Sequence, residues 1–111
     1  MVLSHESELF RKLVPAVCNI YGNNLIYIIL YGSVARNTAT EDSDVDIALI
    51  IKEDDRNMYD SMLDVVVDLN LEYNQVISTA LIKIDEFEKW KNVLPFYKNI
   101  EKEGIILWKA A

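Results

Sequence analysis

Three short apolar runs limit what this chain can fold into: "LIYIILY" at 25–31, "VDIALII" at 45–51 and "VISTALIKI" at 76–84. Each is rich in β-branched and aromatic residues, is too short for an ordinary helix and is bounded by turn-forming residues, so each reads as a strand. In the first two the apolar residues are almost continuous instead of alternating. Strands of that kind are covered on both faces. The rest of the chain must therefore supply helices for two sides of one sheet.

The segments between the runs carry helical spacing. After Ser4, a candidate N-cap, Leu9, Leu13, Val17 and Ile20 recur, with Phe10, Val14 and Tyr21 widening the stripe, and Gly22-Asn23-Asn24 supplies the stop. Asp54 and Asp55 open a second helix, whose stripe is Met58, Met62, Val65, Val66, Leu69 and Tyr73. Asp85 and Glu88 have capping-box spacing and predict a short helix over 86–91. Pro95 and Gly104 bracket another over 95–103. "IILW" at 105–108 either adds a small strand or packs down. The order α, β, β, α, β, α, α predicts an α/β (α+β) fold, a small mixed sheet flanked by helices, with residues 1–111 forming one domain.

With 51% apolar residues the chain can build a core without staples, and the single cysteine, Cys18, excludes an internal disulfide. Cys18 lies in the helical stripe and reads as a core thiol. No apolar run approaches membrane-spanning length and no signal-peptide pattern opens the chain, so the expected location is the cytoplasm. The net charge of −7 disfavours direct nucleic-acid binding. That charge is concentrated. Residues 41–72 hold eleven acids and two bases, a segment of −9 in a chain whose remainder is +2. Most of those acids fit an ordinary solvated helix face.

Asp44 and Asp46 differ, because they stand at the mouth of the second strand. Alternate strand residues share a face, so the two carboxylates project together. Two hard oxygen donors on one edge suit Mg²⁺. A bare Asp-x-Asp is common by chance, and such acids often only shape a turn. Gly32-Ser33 follows directly on the first strand. Glycine admits a close phosphate, and the first turn of a helix there would offer free N–H groups beside the Ser33 hydroxyl. Arg36 is three residues on, with a forked guanidinium suited to an anion. An anion cradle next to a two-carboxylate metal site fits a nucleoside triphosphate with its Mg²⁺.

On these residues, Gly32-Ser33, Ala35-Arg36 and Ser43-Asp44-Val45-Asp46 leading into an apolar strand, the sequence resembles the minimal nucleotidyltransferases of the DNA polymerase β-like superfamily. Asn37 stands where that family often has Gly. The resemblance implies that Gly32 and Ser33 hold the β- and γ-phosphates and that Asp44 and Asp46 bind Mg²⁺ as the catalytic pair. It also implies that Arg36 steadies the triphosphate or its loop and that Ser43 shapes the turn of this nucleotide-binding segment. The implied reaction is attack of an acceptor hydroxyl on the α-phosphate of ATP, with release of pyrophosphate. Members of the family are often encoded beside a helical HEPN protein, an RNase toxin that the nucleotidyltransferase silences by adding AMP. The resemblance thus implies a HEPN-like partner, bound as an oligomer with it.

One feature departs from the resemblance. Active members carry a third carboxylate on a neighbouring strand, and 75–84 contains no acid; the slot falls near Val76, Ile77 or Ser78. Two readings follow. The chain transfers AMP with two carboxylates, or it is a weak or silent subunit that neutralises its partner by binding. Elsewhere, His5 reads as a surface residue. Trp90, Phe96, Tyr97 and Trp108, interleaved with Lys89, Lys91, Lys98 and Lys102, read either as a satellite of the core or as a partner surface.

Overall fold

A computed structural model describes residues 4–36, 38–40 and 43–111, with side chains from residue 8 onward. The readings of Ser4 as a cap and His5 as a surface residue concern side chains before residue 8, which are not described, and Asn37 as a turn former lies outside the described residues. So do Glu41 and Asp42.

In chain order the elements are α1 (Ser4–Tyr21), β1 (Leu25–Tyr31), α2 (Gly32–Ala35), β2 (Val45–Ile51), α3 (Arg56–Tyr73), β3 (Ile77–Lys83), α4 (Ile84–Trp90), α5 (Pro95–Glu103) and β4 (Ile105–Lys109). The four strands form one mixed sheet in the order β3-β2-β1-β4. β1 is antiparallel to both β2 and β4, and β2 is parallel to β3. The α/β reading therefore holds, and "IILW" does pair as a strand.

The nearly continuous runs are explained by what covers them. Ile47, Leu49 and Ile51 of β2 pack with Leu9, Leu13 and Val17 of α1 and Met62, Val66 and Leu69 of α3. Ala48 and Ile50, one residue out of step, face the opposite side and meet Phe87 of α4 and Ile100 of α5. Every side chain from Val45 to Ile51 except Asp46 is buried. Burying a Leu or Ile fully is worth about 1.5–3 kcal/mol, so both helical layers hold the sheet.

Three boundaries differ from expectation. α3 starts at Arg56, because the Asp55 side chain caps it, accepting from the Met58 N–H at 3.0 Å. β3 covers 77–83, one residue shorter at each end than expected. The predicted capping box is not used: β3 runs straight into α4 at Ile84, so Asp85 and Glu86 lie in the helix's first turn and Lys83 takes the cap position without a side-chain bond. With no linker between strand and helix, Asp85 is already inside the helix. α5 spans 95–103 as its Pro and Gly bracket implies.

Two asparagines set the strand ends. The Asn24 side chain both donates to Glu53 O and accepts from Glu53 N, each at 2.8 Å, closing the far end of β2. Asn70 Oδ1 accepts from Ile77 N at 3.0 Å, which fixes where β3 begins.

Candidate active site

β1 and β2 are antiparallel neighbours, yet the residues joining them, 32–44, are far more than a hairpin needs. That connection carries the motif. At its start Gly32 adopts φ +76°, a conformation L side chains rarely take. The chain turns sharply there into α2, a single helical turn closed by Arg36 N–H donating to Gly32 O at 3.1 Å. Thr38 N–H then donates to Ser33 O at 2.9 Å, folding the loop back over the turn.

The Gly32 turn sits against an acid. A Cβ at Gly32 would lie 2.2 Å from Asp46 Oδ2 and 3.1 Å from its Cγ. The cause is register, since Tyr31, one residue earlier, pairs with Asp46 across β1 and β2. The motif's glycine thus serves two ends at once, the positive φ and the close approach of backbone to carboxylate.

At the other end of the connection the chain is tied to β3. Ser43 Oγ accepts from Thr40 N–H at 2.9 Å, and Ser43 N–H donates to Thr40 O at 3.1 Å. Gln75 Nε2 donates to Ser43 O at 2.7 Å, and Val45 N–H donates to Val76 O at 2.8 Å. The Ser43 hydroxyl is therefore engaged within its own turn. These bonds set the parallel register that places Asp46 beside Ser78. Ser78 Oγ in turn makes a long contact, 3.5 Å, to Asp44 Oδ2. Ser78 thus touches one acid and is the register neighbour of the other, so both carboxylates face the side of the sheet covered by α4 and α5.

Burial pushes the Asp46 carboxyl above its ordinary range, the Asp44 charge pushes the same way, and Arg36 opposes both. Burial and then the Asp46 charge raise the Tyr31 phenol. A half-buried carboxylate crowded by a like charge is a place that a cation relieves. Asp44 and Asp46 thus fit a hard divalent ion, with acid oxygens from two positions. Among the described residues no group of three or more His, Cys, Asp or Glu side chains is arranged to hold a metal, and the β3 position in line with the pair is Ser78.

The sequence-level candidates separate as follows. Gly32 meets Asp46, and Ser78 ties Asp44 to the same row. Ser33 lies in the turn with Gly32. Arg36 extends to Glu103 at the end of α5, 3.4 Å away, with both side chains about half exposed. Such an exposed pair contributes little to stability, but it ties the loop to α5. Nothing in the sequence links Tyr31 and Phe96 to each other or to this site, save that Tyr31 directly precedes the Gly-Ser pair. Their rings meet edge to face, centroids 5.6 Å apart, and Tyr31 is the register partner of Asp46.

Comparison with known proteins bears on the family and the fold. The profile described as polymerase beta, nucleotidyltransferase, matches residues 16–111. A Methanocaldococcus jannaschii protein carrying the provisional name protein adenylyltransferase MJ0604 is 34% identical over 104 residues, covering 94% of this chain and 99% of that protein. The fold matches a chain in a solved toxin-antitoxin structure with AMP-PNP at TM-score 0.59 and 18% identity, covering 97% of this chain and 75% of that one. It also matches a chain in the complex of a tri-AMPylated Shewanella oneidensis HEPN toxin with its MNT antitoxin, at TM-score 0.55 and 15% identity, over 95% and 73% of the two chains. At such identities these two likenesses speak for the fold.

Proposed function

The chain belongs to the polymerase β nucleotidyltransferase family, and from that membership we propose that it transfers AMP from ATP to a hydroxyl of a partner protein. The observation that carries this reading is the Gly32 turn pressed against Asp46, which brings a backbone suited to phosphate next to a carboxylate pair suited to its counter-ion. The name of the archaeal relative and the AMPylated toxin of the Shewanella complex support it.

In this reading the Gly32 backbone and Ser33 hold the β- and γ-phosphates, Asp44 and Asp46 hold Mg²⁺, Ser43 keeps the turn that presents the acids, and Arg36 fastens the loop. Bound there, Mg²⁺ supplies charge neutralisation to the triphosphate and polarises the α-phosphate. The residues themselves orient the chain of phosphates so that an acceptor oxygen meets the α-phosphorus opposite the leaving pyrophosphate. One phosphorus–oxygen bond forms as the other breaks. The acceptor's proton leaves to the acceptor's side or to water, since Ser78 supplies no base. The partner is a HEPN-type helical protein, with this chain as its antitoxin, and the setting is the cytoplasm. Among the described residues no helix is long and apolar enough to cross a membrane.

A second reading has its own observation. Ser78 is the β3 residue in register with Asp46, within the stretch near Val76, Ile77 or Ser78 where the resemblance puts a third acid, and a positioned base contributes roughly 10²–10⁴-fold. A subunit lacking it could neutralise the partner by contact alone. Calorimetry with ATP, with and without Mg²⁺, followed by AMP transfer to the partner, tests both. Metal-dependent ATP binding that Asp44→Asn removes, together with AMP on the partner, supports the enzyme. Binding to the partner that persists in Asp44→Asn and needs no ATP supports the silent subunit.

A further inference from the structure

Phe96 stands at the second position of α5, immediately after Pro95, and its side chain is 46% exposed. Most large aromatic side chains are covered when a core is available, and this one is held by neighbours without being buried. Its ring meets Tyr31 edge to face at 5.6 Å and Tyr97 at 5.7 Å. Tyr97 meets Phe87 at 6.2 Å, and Phe87 is buried under the sheet. The exposed ring is thus the outer member of a row anchored in the core, with few rotamers left to lose on binding.

The row ends beside the carboxylates. Tyr31 is the register partner of Asp46 and points to the side of the sheet that α4 and α5 cover, so the ring that Phe96 touches belongs to the strand neighbour of that carboxylate. α5 also reaches the loop through Glu103 and Arg36, so the helix carrying the ring is tied to the segment carrying the phosphate turn.

We propose that Phe96, backed by Tyr31, is the platform on which the base of the bound nucleoside triphosphate stacks. The proposal rests on the nucleotide-binding reading above and adds where the base goes. Stacking on a ring face recognises any base, so the platform sets affinity and leaves the choice among nucleotides to other contacts. It also accounts for an aromatic residue exposed at this place, facing the same side of the sheet as Asp44 and Asp46.

The test is calorimetric titration of the full chain with ATP and, separately, with inorganic tripolyphosphate, both with Mg²⁺, for wild type, Phe96→Ala and Phe96→Trp. Phe96→Ala is expected to weaken ATP binding about tenfold or more, with tripolyphosphate binding unchanged. Phe96→Trp is expected to keep ATP binding within a few-fold of wild type. Equal losses for ATP and tripolyphosphate would overturn the platform, since a mere disturbance of the turn affects both. Unchanged ATP binding in Phe96→Ala would overturn it as well, including the case where only the KM for the protein acceptor rises. If wild type binds neither ligand, the nucleotide reading fails and the platform with it.

Discussion

Replacing Gly32 by Ala separates two demands that the site places on one residue, and Gly22 provides the control. Both glycines have positive φ, +76° and +52°. A Cβ at Gly22 has no atom of the described residues within 4 Å beyond its chain neighbours, whereas at Gly32 it collides with Asp46 Oδ2 at 2.2 Å. Gly22→Ala therefore costs only the left-handed backbone, about 1–2 kcal/mol. Gly32→Ala costs that amount plus the displacement of Asp46. Real Cβ contacts do not fall below 3.0 Å, so the carboxylate must retreat by about 1 Å, most cheaply by leaving its rotamer. That adds about 0.5–1.5 kcal/mol, which the fold survives. The larger effect is functional, because a misplacement of about 1 Å costs on the order of 10²-fold in rate. Urea unfolding of both variants gives the stability terms, and AMP transfer to the partner with Mg²⁺ and ATP gives the rate. The expected result is two folded proteins of broadly similar stability, with transfer close to wild type in Gly22→Ala and about a hundredfold slower in Gly32→Ala. Equal transfer by the two variants would refute the argument that Gly32 is required by its approach to Asp46.

Asp46→Asn should stabilise the metal-free protein at neutral pH. The folded carboxyl has a raised pKa, so its stabilising share is complete below the ordinary value of 3.8 and is lost as pH rises through the raised value. The stability difference between variant and wild type should therefore grow from acid to neutral pH in denaturant titrations, and Mg²⁺ should stabilise wild type more than the variant. Ser78→Asp places a third carboxylate in register with Asp46. It should raise the transfer rate at least tenfold, roughly the lower edge of what a positioned base contributes, while lowering metal-free stability; an unchanged rate in a folded variant would count against the missing-base argument. Tyr21 is buried, its hydroxyl has no hydrogen-bond partner among the described residues, and burial foremost pushes its pKa up to about 12. Tyr21→Phe removes that unpaired group and should leave thermal stability equal or higher, with transfer unchanged.

Much of the fold was legible because local pattern and global packing agree. The runs at 25–31 and 45–51 are strands covered on both faces, and their continuous apolarity says so directly. The stripe through Leu9, Leu13 and Val17 faces the sheet as its spacing requires. The start of α4 was not legible, since a capping box is a local signal and the absence of a linker after β3 is a tertiary fact. Asp46 could be read as a strand residue, whereas Asp44 lies one residue before β2 and joins the same row through its contact with Ser78. The contact of Gly32 with Asp46 could not be read, because it depends on the antiparallel register of Tyr31 with Asp46. The same holds for Ser78, whose place beside Asp46 follows from the parallel register set through Asn70 and Gln75. Phe96 looked like one of several aromatic residues late in the chain, and only the packing of α5 brings its ring to Tyr31.

The central claim is that Asp44 and Asp46, set against the Gly32 turn, move AMP onto a partner protein. The most direct measurement is the intact mass of the helical HEPN-type partner co-expressed with this chain, in wild type and in the double variant Asp44→Asn/Asp46→Asn. The account predicts added mass corresponding to one or more AMP groups with wild type and the unmodified mass with the double variant. AMP on the partner of the double variant, or an unmodified partner held in a stable complex by wild type with ATP and Mg²⁺ present, would contradict it.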